Sequence, residues 1–311
     1  MATLATSGLS LPNHLASGLW SKVQTGSTLA RLSGQTPMMF GTTQLMTFDT
    51  KPKGEVVGEG ANKSQSQPGF GSKTVAPRKV QVTQRYNEEV QWADEDYQLG
   101  VLSAMADAGA EALSRALDLI AYHGINPLTG AALSGSPAKV LDTANTVEIV
   151  TATLTKPDVD IDSAVGLVIA DGFYQPNGIA FDPSFAYTLG TTRDSQGRKL
   201  YPEVGTGQGL TAFNGLNAAV SSTVSAPEAT ISGGAYASSN PNVKAIVGDF
   251  TAIKWGVQRS VPIEVIRFGD PDGQGDLKRA NQIALRLEIV YGIAIMSTDA
   301  FAVVKDATAN V

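Results

Sequence analysis

Two histidines, His14 and His123, and no cysteine limit the chemistry open to this chain of 311 residues. Disulfides, thiolate metal ligands and thiol nucleophiles are all excluded. A Ser–His–acid triad or a histidine-built metal site has almost nothing to draw on. Gly205-Thr-Gly-Gln-Gly209 lacks both the spacing and the strand–helix context of a phosphate-binding loop, and reads as a flexible loop. Asp158, Asp160 and Asp162 alternate like the first ligands of a calcium loop. Ser163 stands where that loop needs glycine and no acid follows at the twelfth position, so a solvated turn is expected. Asp270 to Asp276 comes closer, with oxygen ligands at alternate positions and Gly275 at the sixth. Its twelfth residue is Asn281, which cannot supply a bidentate carboxylate, and the stretch reads as an acidic glycine turn. Arg193-Asp-Ser-Gln-Gly-Arg198 reads as an exposed charged loop. These residues call for no cofactor, no metal and no catalytic group, and the chain does not resemble an enzyme of any familiar class.

The elements that would have to position a site say more. With 29 acidic and 23 basic side chains the net charge is −6, and charged residues make up only 17% of the chain. An acidic balance argues against binding a phosphate backbone as the main task. The 32 glycines favour turns and loops over a helical bundle. No run approaches the roughly 18 apolar residues of a membrane span. The first twenty residues lack the basic and continuous apolar regions of a secretory signal. Leu11, Leu15, Leu19 and Val23 fall four apart, as on one face of a short helix that packs on protein.

Residues 1–40 read as an extended arm and residues 41–86 as a long hairpin. Its outgoing strand is expected over Thr43–Val57 and its return strand over Thr74–Tyr86, where Val75, Val80 and Val82 alternate in part with polar residues. Residues 58–73 between them hold no aliphatic side chain larger than alanine. Such a segment cannot bury enough apolar area to offset its ordering entropy within one subunit, which hints at a partner. From Trp92 to His123 the period becomes helical, with Leu99, Leu102, Ala106, Ala110, Leu113, Leu117 and Ile120 on one stripe. Asp94 to Asp96 suit the helix start, and Gly124 and Pro127 its end. Some 28 residues would span about 40 Å, long enough to lie across a sheet. Asp162 is expected to cap a helix through Ala170. Gly178–Phe181 reads as a strand, and Asp182-Pro183 opens the next helix. Residues 221–243 read as loop. Long strands are expected over Val243–Phe250 and Ala252–Phe268, and two more over Ile283–Val304. The order is that of an α+β protein.

Five stretches in this order resemble the major capsid protein of tailed bacteriophages, the fold named after phage Hong Kong 97. They are Glu55-Val-Val-Gly-Glu-Gly60 with Lys63; Val80 to Glu89 leading into the long helix; and Tyr122-His-Gly-Ile-Asn-Pro-Leu-Thr-Gly130 at its exit. Ile179 to Val220, with FDPSFAYTLGTTRDSQGRKLYP and GLTAFNGLNAAVS, is the strongest match. The closing strands carry Gly248-Asp-Phe250, Asn281 to Glu288 and Asp299-Ala-Phe-Ala-Val303, with Asp299 where the family usually has proline.

The resemblance implies an N-terminal arm (1–40), an extended hairpin loop (41–86), a peripheral domain holding the spine helix (87–138 and 243–311) and an axial domain (139–242). It implies a structural protein that self-assembles into pentamers and hexamers of an icosahedral phage head around double-stranded DNA, made in the bacterial cytoplasm and located in the virion. The genome would be enclosed without specific binding. A separate scaffolding protein, a portal and a decoration protein are the other implied partners, with no membrane. Some relatives form an isopeptide bond between a hairpin lysine and a peripheral-domain asparagine, assisted by a glutamate. Lys63 or Lys73, Asn281 and Glu288 are the candidates here. An encapsulin nanocompartment shares the fold, and a secreted β-rich binding module would share the glycine content and the lack of catalytic residues.

Overall fold

A computed structural model describes residues 26–48, 54–65, 69–88, 95–135, 138–149, 157–202, 204, 209–226 and 242–306, with side chains of the long helix from Met105 onward. Three strands and one helix form its backbone. β3 (Pro77–Asn87), β10 (Gln282–Ile295) and β9 (Ile253–Ile266) make an antiparallel sheet in the order β3-β10-β9. The helix α2 (Glu95–Asp118) packs across β3 and β10. Its Ala106, Ala110, Leu113 and Leu117 are buried, as the stripe requires, the last three in one core with Leu285, Leu287, Ile289 and Tyr291 of β10. The last α-helical turn passes directly into a π-helical turn, Leu119–His123, buried on all sides. Gly124 ends it in the left-handed region at φ 65°, which a side chain would resist.

The second sheet has six strands in the order β4-β11-β8-β5-β7-β6. These are β4 (Thr146–Glu148), β11 (Phe301–Lys305), β8 (Val243–Gly248), β5 (Gly178–Phe181), β7 (Leu216–Val220) and β6 (Ala212–Phe213). β8 and β11 come from the 243–311 segment yet bond to strands of 139–242, so the sheet crosses that sequence boundary. Helices α3 (Pro157–Ala170) and α4 (Pro183–Thr191) close a second core of Ile161, Phe181, Leu189, Phe213 and Val247. Asp182 caps α4 as its spacing predicts, its side chain accepting from Ser184 N at 2.9 Å.

The hairpin differs from its sequence reading in both strands. The described β1 is Thr43–Phe48, and residues 54–57, expected in the same strand, hold none, nor do 58–65. The return strand is two strands in two sheets. β2 (Phe70–Val75) pairs antiparallel with β1, and after Ala76 the chain restarts at Pro77 as β3 against β10. Proline has no N–H to give the ladder, so it suits the first residue of an edge strand.

α3 corrects two further expectations. It begins at Pro157, so Asp162 lies one turn inside instead of capping it, and the alternating aspartates belong to a helix and not to a solvated turn. Proline at the first position and Asp158 and Asp160 in the first turn favour this earlier start. The strand expected to reach Phe250 ends at Gly248, where Phe250–Ala252 forms a 3-10 turn capped by Asp249. The expected helix over Leu11–Val23, the helix start at Asp94, and most of the 205–209 and 221–243 loops fall outside the described residues.

Candidate assembly surface and the clasp beneath it

The described chain enters through a short helix, α1 (Thr28–Leu32), held from below by one buried carboxylate. Asp118, at the junction of the α and π turns, accepts five hydrogen bonds. Thr28 N (2.9 Å), Leu29 N (3.2 Å) and Thr28 Oγ1 (2.7 Å) come from the arm, with Ser27 Oγ. Thr223 Oγ1 (2.7 Å) comes from the turn after β7. The carboxylate thus caps the first turn of a helix ninety residues earlier in the chain. Burial pushes the Asp118 carboxyl up, and the bonds from Ser27, Thr223 and Thr28 work against that shift. The Tyr122 hydroxyl lies 3.0 Å from Thr28 Oγ1; its own ionisation is pushed well up by burial and by Asp118.

His123 sits one turn further on, with no exposed surface. Its Nε2 lies 3.2 Å from the Thr223 carbonyl and 3.0 Å from that of Val224, so the Nε2–H tautomer donates to both. Burial lowers its pKa to about 4. The arm then crosses β9, where Thr36 N donates to Trp255 O (2.8 Å), Ser33 Oγ to Ile253 O (3.0 Å) and Trp255 Nε1 to Ser33 O (3.2 Å). Gly256 makes the crossing possible, because a Cβ there would stand 2.1 Å from Thr36 O.

The acidic turn at 270–276 serves a cation of the chain itself. Arg85 of β3 donates Nε to Asp272 Oδ2 (2.8 Å), Nη2 to Asp270 Oδ1 (3.1 Å) and to Gly275 O (3.0 Å), and Nη1 to Gln282 Oε1 (3.2 Å). The guanidinium holds the Asp272 carboxyl below its usual range. Among the described residues no cluster of three His, Asp or Glu is arranged to hold a metal ion.

The outer surface has few polar groups arranged for chemistry and many apolar ones. On the hairpin Met46 is 79%, Phe70 63% and Val56 101% exposed, and only Val75 of β2 is buried. A groove of about 620 Å³ runs between α2 and the edge strand β3, floored by Val80, Val82, Ala112, Ala116, Leu119 and Leu128. A single chain leaving such surfaces to water is built to be covered. Among the described residues no helix is long and apolar enough to cross a membrane.

The four cross-link candidates sit on different segments of the subunit. Lys63 is exposed beyond the Gly58–Ala61 turn, where Glu55 accepts from Ser64 N at 2.9 Å. Lys73 is exposed on β2. Asn281 is exposed in the left-handed region at φ 51°, and its carbonyl accepts from Glu88 N at 2.7 Å. Glu288 lies seven residues on, about 23 Å along an extended chain, and pairs with Lys79 Nζ at 2.8 Å. Asparagine tolerates the left-handed turn better than most residues, which by itself accounts for Asn281. Sequence reading missed Asp118 altogether. A lone aspartate among Leu117, Leu119 and Ile120 on a helical stripe was the available signal.

The chain matches the Phage capsid family over residues 7–306. Among solved structures, a protein of Mycobacterium phage Ogopogo is 57% identical over 90% of this chain and 92% of its own, with a TM-score of 0.83. One of Gordonia phage Cozz is 29% identical over 90% and 86%, with a TM-score of 0.76. One of Mycobacterium phage Bobi, 18% identical over 98% and 95% at a TM-score of 0.67, shares the fold. No curated protein matches. These relatives give the nanocompartment and the secreted-module readings no support. A hairpin that buries almost nothing of its own, a long helix across a three-stranded sheet, a six-stranded second sheet and a family match spanning nearly every residue lead to one conclusion: the chain belongs to the phage capsid family, and is a structural major capsid protein of the Hong Kong 97 fold that forms a shell of repeated subunits in the virion.

Proposed function

We propose that the chain assembles in the bacterial cytoplasm into pentamers and hexamers of an icosahedral head, encloses double-stranded DNA without specific binding, and works by assembly instead of catalysis. The observation that carries this reading is the hairpin, whose Met46, Val56 and Phe70 stand in water in one subunit. Burying them against neighbours returns roughly 25 cal/mol per Å² of apolar surface. In this reading residues 1–40 are the arm, 41–86 the extended loop, 87–138 with 243–311 the peripheral domain and 139–242 the axial domain, with β8 and β11 lent to the axial sheet. A scaffolding protein, a portal and a decoration protein are its further partners.

Negative-stain microscopy and nuclease protection of particles purified from infected cells test this reading. Closed icosahedral particles with protected double-stranded DNA are the expected result. Particles loaded with a protein cargo and no DNA would favour the nanocompartment. Only small species on size-exclusion chromatography would favour a binding module. An isopeptide bond between a hairpin lysine and Asn281, assisted by Glu288, would act as a link between subunits. Boiling the particles in SDS decides that point, since a ladder means cross-linking and a single band near 32.4 kDa means none.

A further inference from the structure

Helix α3 presents apolar side chains to solvent as well as to the core. From Ala164 to Ala170 it is apolar all round. Ile161, Ala164 and Val168 face the six-stranded sheet, yet Val159 is 49% and Ile169 54% exposed on the opposite side, with Gly166 between them. Helices with apolar residues on both faces are found buried. Asp158 and Asp162, four apart, flank this strip, and like charges at that spacing repel. Asp158 Oδ1 and, on the side of the helix away from this strip, Asp160 Oδ2 are buried with no hydrogen-bond partner among the described residues. Residues 157–171 hold four aspartates and no basic residue. Among the described residues this face is left without apolar cover, and its charged side chains are all acidic.

The complement lies at the other end of the same sheet. α3 overlies β4, β11 and β8, whereas the turn Arg193–Lys199 is tied to the β6 edge. It is closed by an Arg193–Lys199 bridge and anchored by Tyr201, whose ring meets Phe213 of β6 at 5.4 Å. Its Arg193, Arg198 and Lys199 are exposed beside the half-exposed Leu200. Asp194 is occupied inside the turn by Arg198 Nε (3.1 Å) and by the amides of Gln196 and Arg198. The segment therefore presents a net positive, partly apolar knob.

We propose that the exposed face of α3 in one subunit docks on the Arg193–Lys199 turn of a second copy. This inference rests on the shell reading and names the surfaces that join its neighbours. Two different patches at opposite ends of one sheet make a heterologous contact, which closes into rings when the rotation allows.

The absence of cysteine gives a direct test. Asp162 and Lys199 are exposed, and Asp162→Cys and Lys199→Cys are introduced singly and together in the full chain, with melting temperature as the folding control. Purified subunits or particles are treated with a short bis-maleimide and run under denaturing conditions. The double variant is expected to give a ladder of three or more subunits, and each single variant no more than a trace of dimer. A double variant that folds and forms no ladder overturns the proposal. So do single variants that dimerise as fully as the double one, because that pattern belongs to a symmetric contact. Normal particles by microscopy without a ladder sink this interface and leave the shell reading standing. A lack of both particles and ladder counts against the two together.

Discussion

At Asp118 five donors converge on one carboxylate, and leaving them without an acceptor is costly. Asp118→Ala is expected to destabilise the chain by about 3 kcal/mol or more, read as a lower denaturant midpoint. Thr28→Val, which removes one of those donors, is expected to cost about 1 kcal/mol. Equal effects would mean that the carboxylate is not the centre of the clasp. His123 gives the pH dependence. Its folded pKa, about 4, lies below the ordinary histidine value of 6.5, so the unfolded chain takes up the proton first as pH falls. The associated stability is complete above pH 6.5 and is lost progressively toward pH 4, about 3 kcal/mol in all. Asp118, raised by burial, acts with the opposite sign, since its native form holds a proton to higher pH. His123→Gln keeps a donor for the two carbonyls and removes the titration. Subtracting its pH–stability profile from that of the parent isolates the histidine, and a flat difference between pH 6.5 and 4 would refute the assignment.

At the level of elements, α2 offers a paired test. Leu113 is buried and Glu111 exposed on the same turn of helix. Leu113→Asp is expected to cost about 3 kcal/mol or more, and Glu111→Lys less than about 0.5 kcal/mol, both read by denaturation. Gly256→Ala probes the crossing of the arm, since the added Cβ meets a backbone oxygen and not a pliable side chain. Trypsin cleavage after Arg31 is expected to speed up in that variant while the rest of the chain resists. α2, β5, α4 and the long closing strands were legible because each carries its own period and its own stop signal, as Gly124 and Asp182 do. The division of the return strand is not legible, because local pattern says nothing about which partner a strand has; one residue, Ala76, separates β2 from β3, and their partners differ. The start of α3 was misplaced because Asp162 looks like a cap until Pro157 is known to sit at the first helical position. The stripe on α2 revealed one buried face, whereas the π turn that follows is buried all round by tertiary packing.

For the whole molecule, the hairpin makes the clearest forecast. Trypsin should cut at Lys63 and Lys73 in free subunits, where both are exposed, and much more slowly in assembled particles. Equal rates in the two states would remove the hairpin from the contacts between subunits. The family resemblance reached this level before any geometry did, because it rests on the order of short phrases along the chain. It could not reach the clasp, which joins residues about 90 and 105 positions apart. That spacing has a consequence during synthesis. Ser27, Thr28 and Leu29 leave the ribosome early, but their acceptor at Asp118 follows some 90 residues later, and Thr223 only after another 105. At about 5–20 residues per second the delay is roughly 10–40 s. Until Asp118 emerges the Thr28 and Leu29 amides have no acceptor in the clasp, and until Thr223 emerges the carboxylate lacks its last donor. An anchor made early is thus closed late, and a nascent chain secures its arm only once the turn after β7 has been made.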